Sequence, residues 1–216
     1  MLSVRMQNVA VVVLSVSNNP RLLNADFLKR HQIVPDDWNA VNVLVTPPFA
    51  QVTFENGLQI LVEESKLSFL STRPDTFPWA EELSRIAIAY LALLPHVTYG
   101  AVGLNFTFIS DDLRGEAAEK ALIRKLLLRG PWLNVEGGIT GAVLELQYHK
   151  GRPQMNVKIG VLETGGPAGR TLEGFIFNVN FHDEFQADQR DERAEYIGAI
   201  ARRQEDFTHF LEKLPF

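Results

Sequence analysis

From Val41 to Ser71 apolar side chains fall at every second position in four short runs, with Ala50, Val52 and Phe54 in one and Leu58, Ile60 and Val62 in the next. Gln51, Thr53 and Gln59 lie between them. A period of two is that of a strand with one buried face. The parity also constrains the turns. A two-residue turn at Asn56-Gly57 would set Leu58, Ile60 and Val62 against Glu55, Thr53 and Gln51, the wrong face. A three-residue loop, Glu55-Asn56-Gly57 with Gly57 left-handed, instead sets Phe54 against Leu58, Val52 against Ile60 and Ala50 against Val62. A four-residue loop over Glu63-Glu64-Ser65-Lys66 brings Val62 to Leu67 and Ile60 to Phe69. Upstream, Thr46-Pro47-Pro48-Phe49 closes a hairpin pairing Val45 with Ala50 and Val43 with Val52, although two prolines equally suit a bend or a sheet edge.

An earlier strand is expected over Asn8–Ser17, ended by the turn signal Asn18-Asn19-Pro20. Asn24 then caps a short helix carrying Phe27, Leu28 and His31 that stops near Pro35. Trp79, Leu83, Ile86, Ala87, Tyr90 and Leu94 recur at helical spacing, and Pro95 closes that run. The second half opens on a one-face-buried strand, Val102, Leu104, Phe106 and Phe108. A helix follows Asp111-Asp112, with Glu116 and Lys120 spaced for a pair, an apolar side of Ala118, Ala121, Leu122 and Leu126, and a stop at Gly130-Pro131. Ala142, Leu144 and Leu146 begin the next strand, and a two-residue turn at Lys150-Gly151 sets Leu146 against Met155, Leu144 against Val157 and Ala142 against Ile159. Glu163 to Thr171 reads as a long loop, Phe175, Phe177, Val179 and Phe181 as a strand. One long helix from Asp188 to Leu214 closes the chain, and the three–four spacing of Ile197, Ile200, Gln204, Phe207, Leu211 and Leu214 suits either a helix lying across a sheet or a two-helix seam.

These elements predict an α+β protein of antiparallel β-meanders packed against amphipathic helices. The order β-α-β-α, with three or four strands in each meander, occurs over residues 8–94 and again over 98–214, two halves forming one compact domain. That order resembles the saddle of the TATA-box-binding protein and, for a single unit, the helix-grip proteins, in which a curved sheet wraps a long C-terminal helix. A DNA-binding saddle needs a basic concave face with apolar wedges. Here the face opposite the core presents Gln51, Thr53, Gln59, Asn105, Thr107, Glu145, Gln147, Asn156, Lys158, Asn178 and Asn180, rich in amides and poor in charge. Such a face is either simply solvated or a polar contact surface. For the second case the candidate binding residues are Gln51, Gln59, Asn105, Gln147, Asn156, Asn178 and Asn180.

Composition narrows the classes further. The chain has 216 residues, 46% of them apolar, a net charge of −5 and no cysteine. Disulfides, thiolate metal sites and cysteine nucleophiles are excluded, and a reducing, cytoplasmic setting is expected. The apolar run Val9–Leu14 is read as a strand, and no stretch has the length of a membrane span. Neither half is basic, so a nucleic-acid partner is not expected.

Chemistry is scarce. The sequence has no phosphate-loop, dinucleotide, nucleophile-elbow or zinc-protease motif. Gly165-Gly166-Pro167-Ala168-Gly169-Arg170-Thr171 imitates a phosphate loop, but its spacing suits a hairpin, and Glu136–Gly141 suits a strand entrance. His182-Asp183-Glu184 is the densest ligand group. His182, with Glu145 and His149 on neighbouring strands, is the candidate set for acid–base or metal chemistry, and the plain alternative is a solvated strand end. No metal and no cofactor is expected. Arg114, Lys120, Arg124, Lys125 and Arg129, interleaved with Glu116 and Glu119, form a solvated helix face or a surface for an anionic partner. Trp38, Trp79 and Trp132 are expected at corners of the core.

The resulting expectation is a non-enzymatic, cytoplasmic interaction or scaffold protein that pairs with itself or with another protein. Self-association would use strand edges or the helical seam Ile197–Leu214. One alternative is a cup for a small apolar ligand, held by Phe175, Phe177, Phe207 and Phe210. A second is a hydrolytic enzyme using His182 and Glu145.

Overall fold

The computed structural model describes residues 2–110, 118–127, 130–139, 141–149, 151–165 and 171–215. Its centre is one antiparallel sheet of nine strands: β1 (Arg5–Val16), β2 (Ala40–Val45), β3 (Phe49–Phe54), β4 (Leu58–Glu63), β5 (Lys66–Ser71), β6 (Thr98–Ser110), β7 (Leu144–Tyr148), β8 (Gln154–Gly165) and β9 (Thr171–Glu184). The spatial order is β2-β3-β4-β5-β1-β6-β9-β8-β7. The two strands that open the predicted halves, β1 and β6, therefore pair at the middle, and β2 and β7 are the edges. The helices are α1 (Ala25–Arg30), α2 (Trp79–Leu93), α3 (Ala118–Leu126), α4 (Arg190–Gly198) and α5 (Ile200–Leu211). An α+β fold of antiparallel strands under amphipathic helices is thus what the molecule adopts.

One face of the sheet is oily and covered. Val9, Val11 and Val13 of β1, Val52 and Phe54 of β3, Ile60 of β4, Phe69 of β5, Leu104 and Phe106 of β6, Val157 and Ile159 of β8 and Phe175 and Phe177 of β9 are buried. They share one cluster with Leu28 of α1, Ile86 and Tyr90 of α2, Leu122 of α3, Ile197 of α4 and Phe207 of α5. Phe207 shows how the cover is fastened. It stacks on Phe108 at 4.7 Å and meets Phe177 edge-on at 5.8 Å, and burying such a ring contributes about 1.5–3 kcal/mol.

The first meander has the expected register. Val52 faces Ile60, Ala50 faces Val62, Ile60 faces Phe69, Val62 faces Leu67, Val45 faces Ala50 and Val43 faces Val52. Gly57 turns with φ +89°, as the parity demanded. Glu63 and Lys66 are themselves paired, with a 2.5 Å ion pair, so this turn has two residues, Glu64 and Ser65, rather than four. Asn24 caps α1 by accepting from the Phe27 amide at 2.8 Å. Trp38 sits edge-on to Phe54 and Phe77, and Trp79 edge-on to Phe106, as corner residues do. The Trp132 side chain, the Glu116 pair and the stretch 166–170 lie outside the described residues.

The second half of the chain departs from expectation in three places. β7 pairs with β8 two residues out of the predicted register, Leu146 facing Val157 and Leu144 facing Ile159. Pro153 has no amide hydrogen to donate to a ladder, so pairing starts at Tyr148 with Met155 and the connection is longer than two residues. A slip of two keeps every side chain on its face. Next, the Glu163–Thr171 loop is partly strand: Glu163 pairs with Glu173 and Gly165 with Thr171. Finally, the closing helix is two, α4 and α5, meeting at Ala199, directly after Gly198, whose backbone costs about 1 kcal/mol in a helix relative to alanine. The seam expected to dimerise is spent internally, since Ile197, Ile200, Phe207 and Leu211 are all buried in the core of their own chain.

Candidate functional site

No helix lies over the other face of the sheet in the described residues, and strand pairing arranges its side chains in rows. One row runs across all nine strands: Asn42, Thr53, Gln59, Leu70, Ala10, Asn105, Asn180, Asn156, Gln147. On the β6–β8 side it is an amide ladder. Asn156 Nδ2 donates to Asn180 Oδ1 at 3.3 Å, and Asn180 Nδ2 donates to Asn105 Oδ1 at 2.8 Å. Gln154 donates to Asn156 at 3.0 Å, and the Thr107 hydroxyl to Asn178 at 3.2 Å. An open groove of about 370 Å³ follows this ladder, lined by Asn105, Thr107, Glu145, Gln147, Asn156, Lys158, Asn178 and Asn180. Gly103, in the neighbouring row, leaves room for it, since a Cβ there would lie 2.9 Å from Asn180 Nδ2.

The candidate contact residues therefore divide. Asn105, Gln147, Asn156, Asn178 and Asn180 share the groove, whereas Gln51 and Gln59 lie on β3 and β4, on the far side of β1 and β5. Around that second pair the face is oilier, with Leu44, Leu61, Leu70, Val12 and Leu14 among its side chains. Much of the ladder's hydrogen bonding is already satisfied within the chain, which leaves a polar surface with little unmet demand.

The catalytic candidates do not converge. His182 pairs in the sheet with Gly103 and Gln154, while Glu145 pairs with Lys158, itself opposite Asn178. Two inter-strand spacings and four residues along the strand separate His182 from Glu145, roughly 16 Å by ordinary strand dimensions. His149 is exposed beyond the end of β7. Among the described residues the charged partner of His182 Nε2 is Glu184, at 3.9 Å, and Asp183 is held instead by Arg152 at 2.6 Å. Among the described residues no group of three histidine or acidic side chains is arranged to hold a metal ion.

The phenylalanines expected to line a cup fill one another's space. Phe175, Phe177 and Phe207 are fully buried, with Phe175–Phe177 at 6.1 Å and Phe207–Phe210 at 5.8 Å. Of the basic segment, Lys120, Arg124 and Lys125 are exposed on α3, and Arg114 and Arg129 lie outside the described residues.

The β2 edge, not among the residues expected to form a site, is the oiliest strand edge among the described residues. Val41, Val43, Leu44 and Val45 are 58, 48, 44 and 45% exposed, a run of large apolar side chains in solvent. From Asn39 to Pro48 there is no charged residue. The Thr46 amide donates to Phe49 at 2.9 Å, and in an antiparallel ladder the alternate residues Asn42 and Leu44 face β3 in the same way. The amides and carbonyls of Val43 and Val45 then point outward, where no further strand follows among the described residues. Edges are normally blunted with charge or covered. At the opposite edge, β7 carries Glu145, and its Tyr148 ring rests on Phe210 at 5.8 Å. The signal was present in the sequence as an uncharged β-branched run next to two prolines.

The molecule is, as a class, a single-sheet α+β protein with one covered face and one bare, uncharged edge. Comparisons with protein-family models, with curated proteins and with solved structures each return no match.

Proposed function

We propose that this protein is a non-enzymatic, cytoplasmic scaffold or interaction protein that associates with a second copy of itself through β2. The exposed, uncharged β2 edge carries the proposal. An antiparallel pairing centred on Val43 sets Val43 opposite Val43, Val41 opposite Val45 and Asn42 opposite Leu44, so a two-fold axis brings no like charges together. Each copy offers the outward amides and carbonyls of Val43 and Val45, and pairing satisfies them while removing the valine side chains from water. The result is one sheet continuous across two molecules. Absence of cysteine supports the cytoplasmic assignment. The order of strands outward from the β1–β6 pair supports reading 8–94 and 98–214 as two related halves of one domain.

The amide groove, polar and without a net charge to steer nucleic acid, fits the rim of a contact surface for a protein partner rather than its anchor. Separation of His182 from Glu145 speaks against hydrolysis.

Sedimentation velocity across a range of concentrations tests the dimer. The wild-type chain is expected to shift from monomer to dimer as concentration rises. Val43→Lys sets two ammonium groups face to face at the axis and is expected to weaken association by about tenfold or more. Val43 is half exposed, so the variant should melt like the parent. A wild-type chain that stays monomeric at every accessible concentration overturns the proposal.

A further inference from the structure

A second cavity lies away from the amide groove. Between α2 and α4, above the Val97–Tyr99 entry to β6, runs a cleft of about 280 Å³ whose walls include Ile88, Leu91, Ala92 and Val97. A space of that size is at the lower end for small-molecule sites. Its polar lining is unusual. Arg193 of α4 is only 5% exposed, yet among the described residues no carboxylate lies within ion-pair distance of it.

Arg193 Nη1 donates to the Tyr99 carbonyl at 3.1 Å, and its guanidinium carbon sits 5.2 Å from the Tyr99 ring centroid. These contacts orient the head but leave a buried cation without a counter-charge, which is costly. Burial lowers its pKa, Tyr99 opposes that shift and Arg190 adds to it. Arg190 also lines the cleft and is exposed, its Nη2 donating to the Pro95 carbonyl at 2.9 Å. Independently, Tyr99 lines the same cleft, is 2% exposed, and has a buried hydroxyl with no hydrogen-bond partner among the described residues. The acidic residue of the lining is Asp191, which is exposed and, among the described residues, forms no ion pair with either arginine. Two guanidinium groups on an aliphatic wall, with a buried phenol beside them, are complementary to one kind of molecule, an anion with an oily tail.

We infer that the α2–α4 cleft binds a small aliphatic carboxylate, its chain along Ile88, Leu91 and Val97 and its carboxylate on Arg193 and Arg190, with the Tyr99 hydroxyl as a further donor. The ligand supplies the counter-charge that the chain withholds from Arg193. It also ties the start of α4 to the end of α2. This site is separate from the β2 edge, and its failure leaves the dimer untouched.

Isothermal titration calorimetry of the full chain with octanoate tests the inference, with octan-1-ol and octylamine as probes of the same tail. Octanoate is expected to bind saturably, one molecule per chain, and octan-1-ol about tenfold more weakly or less. Octylamine should give no binding. Arg190→Gln removes an exposed side chain without disturbing the core and is expected to weaken octanoate by about threefold to tenfold, and Tyr99→Phe, which deletes only the hydroxyl, by a similar factor. Arg193→Gln should abolish it. Equal affinity for octanoate and octan-1-ol, no saturable heat with octanoate, or unchanged affinity in both Arg190→Gln and Tyr99→Phe would each overturn the assignment.

Discussion

Asn180 lies across its strand neighbours because Gly103 has no side chain to keep it off. A methyl group on Gly103 would come within 2.9 Å of Asn180 Nδ2 and 3.4 Å of Asn105 Nδ2. The amide must then swing away, at the expense of its 2.8 Å bond to Asn105. Gly103→Ala is therefore expected to cost about 1 kcal/mol in urea unfolding, in spite of the gain from filling a strand glycine. In an Asn180→Ala background the same change should be neutral or stabilising, and a cost that persists there would show that the ladder is not its origin. The ladder residues could be named from alternation alone, because parity puts each on the open face. Gly103 could not, since its neighbour in space is 77 positions away in sequence and is set by the β6–β9 register. Gly57 could, because a local turn and the parity of two adjoining strands leave one solution.

At the scale of elements, the helices are pinned to the sheet by three buried tyrosines. Tyr90 lies on α2, Tyr99 on β6 and Tyr196 on α4. Burial pushes the Tyr99 phenol up to about 12, with Arg193 opposing, and raises Tyr90 and Tyr196 further, the first aided by Tyr99 and the second opposed by Arg203. The unfolded chain ionises near the ordinary tyrosine value of about 10 and so gives up protons first. The stabilisation from keeping these phenols neutral is complete below that pH and is lost as pH rises through the folded values. Denaturant midpoints are expected to fall between about pH 10 and 12, and less so in Tyr196→Phe. A flat profile over that window would contradict the burial of these rings. Elements were legible where loops are short and both flanking strands alternate, as from Ala40 to Ser71. They were less so where one residue acts through a missing group, as Pro153 does at the β7–β8 connection, or where a helical pattern continues through a break, as at Gly198-Ala199. Hydrophobic spacing records which face is buried, and the α4–α5 pair keeps that face continuous across the break.

For the whole molecule, β1 and β6 at the centre place one edge at each end of a nine-stranded sheet. Helices close one side, and no helix in the described residues is long and apolar enough to cross a membrane. The apolar seam of the last helices is used up inside the chain, and the β2 edge is an oily surface that the proposed assembly would cover. Sequence pattern predicted that an edge would need a partner. It did not single out β2, because which strands end the sheet is decided by long-range pairing rather than by any local run. Hydrogen exchange at the Val43 and Val45 amides, followed by NMR across a concentration series, tests this most directly. Rapid exchange is expected in dilute solution and strong protection of both amides as dimer forms, with the interior amides of β4 unchanged. Exchange at Val43 and Val45 that stays rapid while the protein associates, or a chain that does not associate at all, would contradict it.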